Sequence, residues 1–299
     1  DARISGTIMV GGAILQMVFA PILIFGLAGI PSLGITGAAI AMVGSRFVLF
    51  LVTLYLLHAR EQLLDFSNMS AARVMSSWRR ILVVSIPATA TNLIGPVSTA
   101  IIVSMLARFG QEAVAGFGIA SRIEGLFVIP LFALSASIGP YVGQNWGASL
   151  YERANQAMIL SFRYSVIWGL LVAAILFVFG AGIAAQFDDN TAVTEVATWY
   201  LTIVPISYGT WGMLMMASAI FNSLGRPVSS TIMSIVRMFV IYVPAAFLGQ
   251  RLFGLEGIFM AACMANLVMG TAGFVWNRRA WLPVIRQARH PEGSNPSGG

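Results

Sequence analysis

The run YSVIWGLLVAAILFVFGAGIAAQ, from Tyr164 to Gln186, holds no Asp, Glu, Lys or Arg and is bounded by Arg163 on one side and Asp188-Asp189 on the other. An α-helix needs about 20 mostly apolar residues to cross a hydrocarbon core about 30 Å thick, so this segment reads as a complete membrane span. Working outward from it, the same test finds seven more spans, at approximately 5–29, 35–57, 81–106, 113–143, 196–221, 228–248 and 255–277. Short turn-like joints such as Arg108-Phe109-Gly110 and Gly225-Arg226-Pro227 separate them and suit antiparallel neighbours. The expected fold class is an all-α integral membrane protein with eight transmembrane helices.

Composition agrees. The chain is 58% hydrophobic and only 9% charged, with a mean hydropathy of +0.84, against about 45–50% apolar and about 25% charged for an ordinary soluble domain. The formal net charge of +6 does not point to nucleic acid, because the basic residues are scattered through short loops and form no phosphate-binding patch. All seventeen are Arg. Their placement follows a membrane topology: with the start of the first span inside, the inner side holds Arg3, Arg60, Arg73, Arg79, Arg80, Arg153, Arg163, Arg226, Arg278, Arg279, Arg286 and Arg289, and the outer side only Arg108 and Arg251. Cytoplasmic loops carry the excess of Arg, so both termini are expected in the cytoplasm of a bacterial inner-membrane protein.

Cys263 is the sole cysteine and lies within an apolar run, which leaves no disulfide framework and no cysteine metal site. His58 and His290 fall outside the spans, and no convergent acids and bases appear, so neither a metal site, a cofactor nor an enzyme is expected. The chain opens with Asp1 and lacks a basic, then apolar, then small-residue leader. A missing N-terminal portion is expected from that opening.

An internal repeat organises the spans. Gly34-Ile35-Thr36-Gly37, followed by Ala41 and Ser45, reappears as Gly254-Leu255-Glu256-Gly257, followed by Ala261 and Ala265. Upstream, Thr7-Ile8-Met9 leads to Pro21 as Thr231-Ile232-Met233 leads to Pro244. The repeat makes the first two spans the counterpart of the last two. It divides the chain into residues 1–57 as the last two helices of an N-terminal lobe, 58–80 as a cytoplasmic inter-lobe connection, 81–280 as a complete six-helix C-terminal lobe, and 281–299 as a cytoplasmic tail. Repeats of this kind are typical of secondary transporters, whose sites lie near the bilayer midplane.

Val142-Gly143-Gln144-Asn145-Trp146-Gly147-Ala148, followed by Arg153-Ala154, resembles the GQN-x-GA…RA segment after the eighth helix of the multidrug and toxic compound extrusion (MATE) family. The resemblance implies twelve spans in two lobes, of which this chain carries the last eight. It also implies export of organic cations and other amphiphiles in exchange for H+ or Na+, by a protein that acts as a monomer when full length. Two departures matter. The fifth-helix Asn-x-x-Leu-Asp-Pro of many members is Gln16-Met17-Val18-Phe19-Ala20-Pro21 here, and the seventh-helix run Ile86 to Asn92 holds no acid. The coupling residues must therefore be sought elsewhere. A flippase for lipid-linked precursors, from the same broad superfamily, is the alternative, and an intramembrane enzyme a more distant one.

Ionisable side chains at bilayer depth are costly, and they are paired or functional by default. Glu124, Arg237 and Arg122 are the ion-coupling candidates. At 1.5 Å rise per residue, Glu124 lies about 18 Å from the outer surface and Arg237 about 14 Å from the inner one, close to a common depth, which predicts that the two approach each other. Thr91, Asn92, Tyr208, Gln16 and Asn266 are the polar candidates for lining a substrate cavity. Asn92 and Tyr208 stand near Pro96 and Pro205, where a proline bends the helix and frees backbone carbonyls.

Overall fold

The computed structural model describes residues 2–27, 31–59 and 71–289, all of them helical apart from short joints. Among the described residues nine α-helices follow in order: α1 (Ala2–Phe25), α2 (Gly34–Ala59), α3 (Ala71–Leu106), α4 (Gln111–Gly147), α5 (Tyr151–Ala184), α6 (Thr191–Ile203), α7 (Tyr208–Ser223), α8 (Pro227–Ile235) and α9 (Val243–Arg289). A 3-10 turn, Val204–Ser207, joins α6 to α7, and a wide π turn, Val236–Tyr242, joins α8 to α9. No strand occurs among the described residues.

Among the described residues, six continuous runs are long and apolar enough to cross a membrane. One of them, Pro227–Val284, has 58 residues, enough for two crossings, and contains Gly254 at φ 62°, ψ −137°. That conformation is open essentially to glycine alone. It folds the run into two spans, and α3 supplies the eighth. The eight-span, all-helical architecture thus stands as the sequence implies.

The chain packs as two units, 1–83 and 84–299. In the first, α1 and α2 form a hairpin closed where Leu33 donates its N–H to the Leu23 carbonyl at 3.1 Å. Gly34 adopts φ +53°, and a side chain on Gly37 would strike the Leu23 backbone. Ala41 and Ser45 continue the buried stripe. The second unit repeats the device. Gly254 turns the chain at positive φ, Gly257 meets the Gly249 backbone, and Ala261 and Ala265 are buried beyond it. The expected connection and tail fall partly outside the described residues.

Within the second unit, small residues let helix backbones touch. A Cβ on Gly169 of α5 would collide with the Gly209 backbone of α7, and one on Gly270 of α9 with Thr210 of α7. Close backbone approach is the main route to helix association where lipid is as apolar as the side chains. Two apolar clusters result. One surrounds Ile123, Leu131, Tyr200, Leu201 and Phe259; the other, towards the Arg-rich end, surrounds Val142, Met158, Phe221, Met233 and Trp281.

Candidate functional site

Two prolines set the geometry. A proline has no N–H and its ring collides with the carbonyl four residues earlier, so an α-helix cannot pass through one undisturbed. At Pro205 the helix tightens into Val204–Ser207, which delivers Ser207 and Tyr208. Ahead of Pro244 it widens into Val236–Tyr242, which delivers Arg237, Met238 and Tyr242. Such local departures from α geometry are frequent at functional sites.

A cavity of about 280 Å³ lies among α3, α4, α6, α7, the π turn and α9. Glu124 of α4 is its carboxylate and Arg237 its guanidinium, with Asn266, Tyr200, Trp211 and Tyr242 among the remaining walls. The Tyr200 hydroxyl donates to Glu124 Oε2, and the Tyr208 hydroxyl donates to the same oxygen at 3.0 Å. Oε1 accepts no hydrogen bond from a described residue. Arg237 Nη1 donates to Asn266 Oδ1 at 2.9 Å, Asn266 Nδ2 donates to Ser207 Oγ at 3.0 Å, and Ser207 Oγ donates to the Val204 carbonyl at 2.8 Å. That last carbonyl stands one residue before Pro205, where the regular ladder is interrupted. The tyrosine ring is held by aromatic edges, with Phe117 at 5.5 Å and Phe259 at 5.1 Å from Tyr200, centroid to centroid.

The structure therefore places Glu124 and Arg237 on one cavity, each held by neutral partners; no direct ion pair joins them. Tyr208, 1% exposed, stands behind Glu124 as its hydrogen-bond donor, while Asn266 lines the cavity itself. Arg122 is not brought there. Two residues from Glu124 on a helix of 3.6 residues per turn, it points about 200° away and is exposed. Gln16 is exposed on α1 and belongs to the first unit, whereas the cavity is built from the second. Thr91 and Asn92 lie outside the residues whose side chains are described.

Sequence reasoning missed Tyr200, Tyr242 and Ser207. A signal existed for Tyr200: it falls on the buried stripe Val193, Val196, Ala197, Tyr200, Leu201 of α6, and a phenol on a buried stripe needs an acceptor. Tyr242 gave no such sign, because the π turn shifts its direction from the regular helical register. Among the described residues, no three His, Cys, Asp or Glu side chains come together as a metal site.

Comparison with known proteins identifies the architecture. The MatE family model matches residues 87–248. An FAD transporter of Shewanella oneidensis is 33% identical over 284 residues, which cover 95% of this chain and 63% of that protein. The probable multidrug resistance protein YoeA of Bacillus subtilis is 24% identical, over 96% of this chain and 64% of its own. Among solved structures, the Vibrio cholerae MATE transporter VcmN in its bent form aligns with a TM-score of 0.75 at 27% identity, over 97% of this chain and 64% of that one. These relatives are transporters and not enzymes, and the chain spans a little under two thirds of their length. With a family model matched over more than half its residues and the same all-helical architecture, the chain belongs to the MatE family of membrane transporters.

Proposed function

We propose that the protein is a secondary active exporter, which exchanges small organic amphiphiles for H+ or Na+ by alternating access, and that Glu124 is its coupling carboxylate. One observation carries this: Glu124 sits in a cavity with its Oε1 accepting no hydrogen bond from a described residue, on the same cavity as an arginine with which it makes no direct ion pair. A proton or sodium ion arriving at Oε1 changes the charge that Arg237 faces. The two tyrosine hydroxyls hold the carboxylate in place during that exchange. The π turn that carries Arg237 is the natural point of bending, because its hydrogen bonds are already irregular. The multi-pass topology, with the Arg-rich side cytoplasmic in a bacterial inner membrane and a monomeric working unit, belongs to the same reading.

Substrate polarity is the second point. The cavity joins a guanidinium to the aromatic walls Phe117, Tyr200, Trp211 and Tyr242, which suits an aromatic substrate carrying negative charge better than a simple organic cation. An FAD transporter among the relatives is consistent with that preference. At about 280 Å³ the cavity is just below the usual range for drug-sized ligands and would hold one end of a larger molecule. A flippase would be better served by a wide cavity lined by several arginines.

The test is transport in vesicles by the protein expressed from its complete coding sequence, with flavin nucleotide and a cationic dye as separate substrates, under a proton gradient or a sodium gradient. Gradient-driven uptake that disappears in Glu124→Gln is expected. Uptake of either substrate that is unchanged in that variant would remove Glu124 from the mechanism. Transport of the dye but never of the flavin nucleotide would overturn the substrate preference.

A further inference from the structure

The kink at Pro205 sets two neighbouring residues against the two charges of the cavity. Tyr208 donates to Glu124 Oε2 at 3.0 Å. Ser207, one residue earlier, reaches Arg237 through Asn266. Asn266 lines the cavity, whereas Ser207 does not and is 0% exposed. Any part that Ser207 takes in recognition is therefore indirect.

The direction of these hydrogen bonds is decided at Ser207. The Tyr208 N–H closes the 3-10 turn on the Pro205 carbonyl, three residues back, where an α-helix would use the Val204 carbonyl, four back. The Val204 carbonyl accepts the Ser207 O–H, at 2.8 Å. A serine hydroxyl has one proton. With that proton committed to Val204, Ser207 Oγ can meet Asn266 only as an acceptor. The Asn266 amide must then turn its NH2 to Ser207, at 3.0 Å, and its oxygen to Arg237, at 2.9 Å. The reverse orientation would set an NH2 against a guanidinium, which has donors and no acceptor. The Cys263 thiol, three residues before Asn266 on α9, also lies beside Ser207. Sulfur is a weak donor and a weak acceptor, and it displaces neither partner.

Arg237 makes no other hydrogen bond among the described residues. A guanidinium on a flexible stem that shares a cavity with a carboxylate is drawn towards it, strongly so where the surroundings are of low dielectric. The Asn266 oxygen opposes that pull. We propose, on the basis of the transport role set out above, that Ser207 is a positioning residue for substrate selection. By fixing the Asn266 amide it holds Arg237 apart from Glu124 and keeps the guanidinium available to a negatively charged substrate group. Without the hydroxyl the amide can turn over, Arg237 loses its acceptor, and guanidinium and carboxylate can close on each other. The cavity then loses its preference for negative charge.

Transport kinetics in vesicles, with the protein from its complete coding sequence and flavin nucleotide and a cationic dye as separate substrates, provide the test. Ser207→Ala is expected to raise the KM for the flavin nucleotide about fivefold, the scale of one net hydrogen bond. The kcat for that substrate and the KM for the dye should stay within about twofold of wild type. Asn266→Ala should have the same effect, and the double variant should add nothing to it, because the two side chains act in series. Ser207→Thr, which keeps the hydroxyl, should restore the wild-type KM. If the alanine variant does not fold, Ser207→Cys, whose sulfur accepts weakly, replaces it with the same expectation. An unchanged flavin nucleotide KM in the folded variant would overturn the inference. So would equal losses for the two substrates, or effects that multiply to about 25-fold in the double variant. A wild-type protein that carries no flavin nucleotide, or a Glu124→Gln variant that transports normally, overturns the reading of the site and the role of Ser207 with it. Wild type and Glu124→Gln behaving as expected beside an unaffected Ser207→Ala overturns the role of Ser207 alone.

Discussion

The two ends of the second unit solve the burial of charge in opposite ways. Around Glu124 and Arg237 the charged groups share a cavity, lean on neutral donors and acceptors, and make no ion pair. At the Arg-rich end there is packing instead. Trp146 meets Tyr151 at 4.9 Å and Trp281 at 5.3 Å, Phe221 meets Trp276 at 5.5 Å, and Arg226 closes over Trp281. The first arrangement leaves charge available to an arriving ion or substrate. The second ties Arg226 and Arg278 into packing and clamps helix ends together. Substitutions should therefore divide between lost transport at one end and lost stability at the other.

Glu124→Gln gives the largest expected effect. Gradient-driven transport should fall by about 10- to 100-fold, the scale of a coupling free energy of 1–3 kcal/mol, while the amount of folded protein on size exclusion stays at the wild-type level. If folded protein also vanished, Glu124 would be a structural pin and the contrast between the ends would fail. Trp281→Ala comes next. Deleting a buried indole that contacts Trp146, Phe221 and Arg226 should cost about 3–5 kcal/mol, seen as earlier aggregation on heating, with normal transport by whatever protein remains folded. Gly254→Ala forces a side chain into a φ, ψ region it does not tolerate, at about 1–3 kcal/mol; thermal aggregation again reads it. Asn266→Ala removes the acceptor of Arg237 and the donor to Ser207. It should cost about 1 kcal/mol of stability, in the range of hydrogen bonds between membrane helices, yet alter substrate preference measurably, because Arg237 is then free to move. The smallest effect belongs to Asn155→Ala, which loses the single bond from Arg278 and should shift stability by about 0.6 kcal/mol with transport unaffected.

Span positions were legible because bilayer thickness imposes a length that hydropathy reveals directly. All but the last two residues of the run from Tyr164 to Gln186 fall inside α5, and the pairing of Gly34 with Gly254 corresponds to two positive-φ turns. The site was legible only in part. Depth along a helix is one coordinate, and it brought Glu124 and Arg237 to a common level. Direction around the helix is another, and single charged residues say little about it. Arg122 shares the depth of Glu124 but faces the other way. The wide turn at Val236–Tyr242 was beyond reach as well, since Pro244 warns of a disturbance without saying whether the helix tightens, as before Pro205, or widens.

The backbone contacts at Gly169, Gly209 and Gly270 bear on how such a protein diversifies. Three helices that touch through their main chains cannot slide past one another without meeting a side chain, so α5, α7 and α9 travel as one stiff block. Under the proposed transport role, selection for a new substrate can rewrite the cavity walls at Trp211 or Tyr242 while those three positions stay closed to it. The same block thus serves as a chassis, inherited whole, on which new specificities are tried.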